Sequence, residues 1–119
     1  PAGIGASIAF NKNPVVVLVG DGCMQINIQE LQTIVRNNLP IKIIVLNNQS
    51  LGMIRQFQDS YFESRYQSTY WGYSAPDFSK VANGYGIESK TIEIKTKLKT
   101  QLIGCGQKKM TKNLSYCKL

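Results

Sequence analysis

The chain has 119 residues, 14 basic and 7 acidic side chains, a net charge of +7, three cysteines and no histidine. That length is enough to bury one domain's core. The composition excludes a histidine-based zinc site or catalytic triad, and three scattered cysteines argue for a reducing compartment and against a disulfide framework.

Taken in chain order, Ala2 to Phe10 (AGIGASIAF) is small and apolar and reads as a short helix. It is too short to span a membrane and lacks the charged start of a signal peptide, so the protein reads as cytoplasmic. Gly3 and Gly5 are not a dinucleotide fingerprint, because no strand precedes them and the third glycine is missing. Asn11 to Pro14 turns the chain into Val15–Val19, a β-branched run that reads as a strand buried on both faces.

Gly20-Asp21-Gly22 ends that strand and offers an exposed carboxylate at its C-terminal edge. An Asp-Gly pair is also a hairpin signal, and Met24, Ile26 and Ile28 alternate with polar residues. Against a hairpin, Ile28, Leu31, Ile34 and Val35 fall at helical spacing, which predicts a helix over 28–36. Asn27 and Glu30 fit its N-cap and capping box, and Asn37, Asn38 and Pro40 its end. Ile41–Leu46 is a second strand, followed by Asn47-Asn48. Strand, helix and strand within about thirty residues form a βαβ unit with parallel strands. The Gly20-Asp21-Gly22 and Asn47-Asn48 loops then leave the same edge of the sheet, where open α/β sheets bind ligands.

Leu51, Ile54, Phe57 and Tyr61 recur at helical intervals, with Ile54 facing a core. Residues 58–76 are rich in Tyr, Ser and Gln and hold the only Trp, Trp71; a connection of that length reads as a lid or a subunit contact. Asp77 caps a helix whose face is Phe78, Val81, Ala82 and Tyr85, closed by Gly86. Ser89–Ile94 is a further strand. Residues 88–119 carry eight Lys against two acidic residues and so hold nearly all the net charge. A basic tail can bind nucleic acid or anionic membrane. This one, over 95–119, has no clear period, and it reads as aberrant sequence; neither nucleic acid nor membrane is expected as a partner.

One carboxylate and an amide pair at a sheet edge are hard oxygen ligands that suit Mg²⁺ shared with phosphate groups. No Walker loop is present. On spacing alone the arrangement equally fits an ordinary turn with an N-capping Asp, and a Mg²⁺ phosphatase-like module would want a second carboxylate beside Asp21.

Gly20-Asp21-Gly22, some two dozen residues and then Asn47-Asn48 resembles the thiamine diphosphate signature of the pyruvate-oxidase and acetolactate-synthase superfamily. Glu30-Leu31, Thr33, Leu39-Pro40, Lys42, Leu51-Gly52-Met53 and Arg55-Gln56 extend the likeness. The chain resembles the C-terminal domain of acetolactate synthase large subunits from about Ala2 to Ile87. The fold this implies is α/β, a parallel sheet with helices on both faces, here incomplete: residues 1–94 as a partial cofactor-binding domain, then the basic tail.

By the same resemblance, Asp21 and Asn48 would be side-chain ligands of Mg²⁺, and Ser50 would supply a backbone carbonyl, its side chain mattering little. Gly20, Gly22, Cys23 and Met24 would meet thiamine diphosphate, the helix over 28–36 would aim its N-terminus at the phosphates, and Gly52 and Met53 would lie near the thiazolium. Met53 and Phe57 would border the substrate pocket. Phe57 stands where acetolactate synthases typically have Trp, which leaves the acceptor open between pyruvate and another carbonyl compound such as a keto sugar. The implied activity is decarboxylation of pyruvate and transfer of its two-carbon unit to that acceptor. No catalytic residue falls in this chain, since the family's activating glutamate lies in an upstream domain. The resemblance implies a homodimer or higher assembly of the full-length protein, and leaves room there for FAD and a regulatory subunit. The chain alone is expected to be inactive. A non-catalytic Mg²⁺/phosphate-binding module is the alternative.

Overall fold

The computed structural model describes residues 1–92 and the backbone strand at 113–118. In chain order the elements are α1 (Ala2–Ala9), β1 (Val15–Gly20), α2 (Asp21–Ile26), α3 (Glu30–Arg36), β2 (Ile41–Asn47), α4 (Gly52–Tyr61), α5 (Phe78–Gly84), β3 (Glu88–Ile92) and β4 (Asn113–Lys118). The four strands form one sheet in the order β1-β2-β4-β3, and every neighbouring pair is parallel. The architecture is thus the α/β parallel sheet flanked by helices that the hydrophobic runs imply.

Parallel strands need covered crossovers, and β2 shows it: its residues alternate between buried and half-buried along its whole length. Ile41, Ile43 and Val45 face the core made by Met24, Leu31, Ile34, Leu39, Phe78, Ala82 and Ile87. Strand β1 differs from expectation. Val15, Val17 and Val19 pack against that core. Val16 and Leu18, on the other face, are 63% and 66% exposed. The reason is position: β1 is an edge strand, and no described helix covers its second face. On the covered side α1 comes very close, since a Cβ on Gly3 would lie 2.3 Å from Val17 Cγ2.

Helices α1, α3 and α5 all stop in the same way. The residue after the C-cap turns left-handed (Asn11, φ 55°; Asn38, φ 52°; Gly86, φ 72°). The next N–H then reaches back to the last turn: Lys12 to Ser7 O, Leu39 to Ile34 O and Ile87 to Ala82 O, at 2.7–3.1 Å. This is the Schellman pattern, with Asn twice in the role glycine usually plays. Asp77 caps α5 as expected, its Oδ1 accepting from Ser79 N at 3.0 Å and Lys80 N at 3.2 Å.

Between the first two strands the outcome is partly a correction. No hairpin forms. The helix predicted over 28–36 forms as α3, from Glu30 to Arg36, and it is preceded by a short helix that was not predicted, α2, which starts at Asp21 itself. Asn27 is the C-cap of α2, not an N-cap, and no side chain caps α3. The predicted face is nonetheless the packed one, with Leu31 and Ile34 buried and Ile28 and Val35 against them. Helix α4 forms where the spacing places it but buries none of its residues. Ile54, expected in the core, is 52% exposed, because no described element lies over that face.

The tail expected to be aberrant lies outside the described residues, except that Asn113–Lys118 forms β4 between β2 and β3.

Candidate functional site

Strands β1 and β2 run in register from Val15 opposite Ile41 to Gly20 opposite Leu46. Their C-terminal ends therefore finish level, and the turn at Asp21 and the loop after Asn47 leave the sheet side by side. The contact is tight. A Cβ on Gly22 would sit 2.4 Å from Leu51 Cδ2, which would have to swing away, and at an ordinary contact distance of 3.5 Å from the Tyr73 hydroxyl, so Leu51 favours glycine here.

That cover corrects the expectation of an exposed acid. Asp21 is only 2% exposed. Its Oδ2 has no hydrogen-bond partner among the described residues, and neither has the Tyr73 hydroxyl beside it. The phenol lies close enough to Asp21 for the carboxylate to act on it both as a charge and as an acceptor, although the pair falls short of full hydrogen-bond geometry. Burial first, and then the Asp21 charge, push the Tyr73 phenol up to about 12. An unsatisfied buried carboxylate is costly and calls for an ion or a water.

The second loop is built from side-chain-to-backbone turns. Fully buried Asn47 accepts at Oδ1 from Gln49 N (2.9 Å) and Gln49 Nε2 (3.0 Å). Asn48 accepts at Oδ1 from Ser50 N at 3.1 Å, and its own side chain is exposed. Leu51 takes φ −77° and ψ 75°, an inverse γ-turn closed by Gly52 N donating to Ser50 O at 2.9 Å. Oxygen atoms of Asn48 and Ser50 are therefore held in a fixed loop next to the Asp21 turn.

A third segment, residues 66–76, locks this loop. Ser50 Oγ and Leu51 N both donate to Thr69 O, at 3.0 and 2.9 Å. Ala75 N donates to Gln49 Oε1 at 3.4 Å. Arg55 of α4 lies over the rings of Tyr66 and Tyr70, 4.8 and 4.9 Å from their centroids. The Ser50 side chain is thus in use by the fold, against the expectation that its identity matters little.

The remaining residues singled out from sequence are placed as follows. Gly20 ends β1, and Cys23 is an exposed free thiol in α2. Met24 is buried in the core and, with Cys23, lines an apolar cavity of about 220 Å³ between α1, α3 and the sheet. Gly52 begins α4, close to Asn48: a Cβ there would be 3.3 Å from Asn48 Nδ2. Met53 and Phe57 are 81% and 55% exposed on α4, and the Phe57 ring lies tilted against that of Tyr61, 4.7 Å between centroids. The free N–H groups that directly follow β1 are those of α2, not of a helix beginning at 28. Sequence reasoning did not find Asn47 as a buried anchor, nor Thr69 and Tyr73 at all. No spacing signal links residue 73 to residue 21.

The donor set has one carboxylate and otherwise amide, hydroxyl and carbonyl oxygens. Among the described residues no three His, Cys, Asp or Glu side chains gather as a metal cluster. Nor is any described helix long and apolar enough to cross a membrane. A hard cation that brings phosphate oxygens of its own fits such a set; a metal that seeks thiolate or imidazole does not.

Fold and site together define a parallel α/β domain with a buried carboxylate and two tight loops at its strands' C-terminal edge, where open α/β sheets bind ligands. The family model for the C-terminal TPP binding domain of thiamine pyrophosphate enzymes matches residues 1–111, and the chain belongs to that family. It is 40% identical over 102 residues to an acetolactate synthase large subunit of Pyropia yezoensis, a match covering 86% of this chain and 17% of that protein. To the acetolactate synthase isozyme 2 large subunit of Escherichia coli K12 it is 41% identical over 102 residues, 86% of this chain and 18% of that one. Among solved structures it is similar to the thiamine diphosphate-dependent 4-hydroxybenzoylformate decarboxylase of Rhodococcus jostii RHA1. There the TM-score is 0.78 at 25% identity, covering all of this chain and 22% of the other. The chain thus spans less than a fifth of the length of its curated relatives. It is homologous to the cofactor-binding domain of acetolactate synthase large subunits, within the superfamily that also holds thiamine diphosphate-dependent decarboxylases, and thiamine diphosphate is the cofactor of this domain family.

Proposed function

We propose that this chain is the diphosphate- and Mg²⁺-holding part of a longer carboligase of the acetolactate synthase type. That enzyme decarboxylates pyruvate and transfers the two-carbon unit to a second carbonyl compound. The observation that carries this reading is the buried Asp21 carboxylate, whose Oδ2 is unpaired at the sheet edge beside the Asn48–Ser50 loop. Asp21, the Asn48 amide oxygen and the Ser50 carbonyl would hold Mg²⁺. Gly20, Gly22 and Cys23 would border the diphosphate and thiazolium, and the backbone at Met24 would continue that lining. Gly52 and Met53 would approach the cofactor from α4, and Met53 and Phe57 would border the substrate.

The bound cofactor supplies the means of stabilising negative charge at the substrate's carbonyl carbon. This chain's residues do other work. Asp21 neutralises the cation's charge from a site shielded from water, which strengthens the pairing. Asn48 fixes the cation's position through an oxygen already oriented by Ser50 N–H. Leu51 and Tyr73 close over the turn at Gly22. None of these residues is placed as a general acid or base, so the chain on its own would bind without turning over.

One residue bears on the acceptor. Phe57 keeps an aromatic wall on α4 but has no indole N–H donor, and its ring is 55% exposed. That change leaves the acceptor open between pyruvate and another carbonyl compound such as a keto sugar. The full-length protein would be a homodimer or larger; FAD and a regulatory subunit belong to the same proposal.

The test is calorimetric binding of thiamine diphosphate to the full-length parent, with and without Mg²⁺, for wild type, Asp21→Ala and Asn48→Ala. Mg²⁺-dependent binding lost in both variants is the expected result. Folded variants that bind as wild type would overturn the site assignment. Product analysis with pyruvate alone, and with pyruvate plus a keto sugar, then separates the acceptors.

A further inference from the structure

Tyr73 belongs to neither of the two loops that the cofactor signature defines, yet its hydroxyl is buried beside the first of them. It lies 3.5 Å from where a Cβ on Gly22 would be, and next to Asp21. It has no hydrogen-bond partner among the described residues, although it is shielded from solvent. A hydroxyl buried for packing alone is a penalty that Phe would avoid. Something at this position therefore uses the O–H.

Its surroundings identify what. Tyr73 stands between two anchors of its own segment, Thr69 and Ala75, and both are tied to the second loop. Thr69 O accepts from Ser50 Oγ and Leu51 N, and Ala75 N donates to Gln49 Oε1. The loop offering the Asn48 and Ser50 oxygens thus also sets where the Tyr73 hydroxyl sits. The facing group with an unused acceptor is Asp21 Oδ2.

We propose that Tyr73 is a positioning residue for the cation site: when Mg²⁺ is bound, its hydroxyl donates a hydrogen bond to Asp21 Oδ2 and so turns the other carboxylate oxygen to the cation. This rests on the Mg²⁺ reading of Asp21 given above. An ionised carboxylate only accepts hydrogen bonds, whereas a tyrosine hydroxyl can donate one, so the bond runs from Tyr73 to Asp21. Hydrogen bonds from an outer partner to a ligating carboxylate fix its orientation, and losing one typically weakens metal binding about ten- to a hundredfold. The consequence is that segment 66–76 and the cation site order together: pulling the segment away would remove the donor from Asp21, and binding the cation would hold the segment down.

The experiment uses the full-length parent with saturating thiamine diphosphate. Mg²⁺ affinity is measured by calorimetry for wild type, Tyr73→Phe and Asp21→Ala, and the tyrosine ultraviolet difference spectrum is recorded as Mg²⁺ is added. Tyr73→Phe keeps the ring beside Gly22 and removes a buried hydroxyl that has no partner until the cation binds, so its denaturation midpoint without Mg²⁺ is expected at or above wild type. Its Mg²⁺ affinity is expected to fall about tenfold or more. Wild type is expected to show a tyrosine difference band that Tyr73→Phe lacks. Wild-type Mg²⁺ affinity in Tyr73→Phe, with binding lost in Asp21→Ala, overturns the role of Tyr73 and leaves the cofactor reading standing. A wild-type tyrosine spectrum unmoved by Mg²⁺ overturns it as well. Unchanged binding in folded Asp21→Ala overturns the cofactor reading itself, and this inference with it.

Discussion

Ser50 Oγ donates a 3.0 Å hydrogen bond to the carbonyl of Thr69, and both residues are buried. This bond joins the loop after β2 to a segment that sequence inspection treats as a separate lid. Removing it in Ser50→Ala leaves Thr69 O with only the Leu51 N–H. A loss of about 1 kcal/mol is expected in urea denaturation. Tryptic cleavage after exposed Arg65 is expected to quicken as the segment loosens. Unchanged stability together with unchanged cleavage would mean that Leu51 N–H holds the segment alone.

Asp21 is expected to weaken the protein when no cation is bound. Its buried Oδ2 has no partner, and a buried unpaired charge destabilises. Asp21→Asn keeps the shape and removes the charge. Without Mg²⁺ its thermal midpoint is expected to lie above wild type, by an amount corresponding to about 1 kcal/mol. Adding Mg²⁺ and thiamine diphosphate reverses the order, because only wild type gains from binding. A differential scanning series over Mg²⁺ concentration shows either the crossing of the two curves or its absence.

Two glycines in α1 predict opposite signs. At Gly3 a Cβ would press on the stiff β-branched Val17 at 2.3 Å, whereas Gly5 has nothing within 4 Å. Gly5→Ala is expected to stabilise by about 0.5–1 kcal/mol through helix propensity alone. Gly3→Ala carries the same gain against an overpacking cost of about 1–3 kcal/mol and is expected to destabilise. Chemical denaturation of the pair checks the packing of α1 on β1, since equal effects would mean that α1 does not approach Val17.

Asp59 gives a pH-dependent contact on the surface. Tyr66 Oη and then Ser64 Oγ donate to its carboxylate and lower its pKa below 3.8. A depressed folded-state value means that the contact contributes fully above the unfolded value. It fades as pH falls from there through the lowered one. Cleavage after Arg65 by an acid-stable probe protease is expected to rise over that acid window in wild type. Asp59→Asn is expected to show the faster rate already at neutral pH. A wild-type rate flat with pH would remove the role of Asp59.

Much of the fold was legible because its signals are local. The Val15–Val19 and Ile41–Leu46 runs, the Leu31–Ile34 face, the Asp77 cap and the stops at Asn38 and Gly86 each depend on neighbours within a few residues. The capping box at Asn27 failed for the same kind of reason. The chain enters a helix directly at Asp21, so Asn27 ends that helix and cannot start the next. Ile54 failed because helical spacing shows that a face is apolar, not that anything covers it.

The candidate site divides along the same line. The sequence by itself determined that Asp21 and Asn48 leave one edge of a parallel sheet, because a βαβ crossover returns the chain in the same direction. The burial of Asp21, the bond from the Ser50 side chain to Thr69 and the approach of Tyr73 to the carboxylate come from how distant segments pack. Those facts depend on Leu51 and Tyr73 arriving from distant segments to close over Gly22. Contacts between remote segments are set by packing, and packing leaves no period in the sequence.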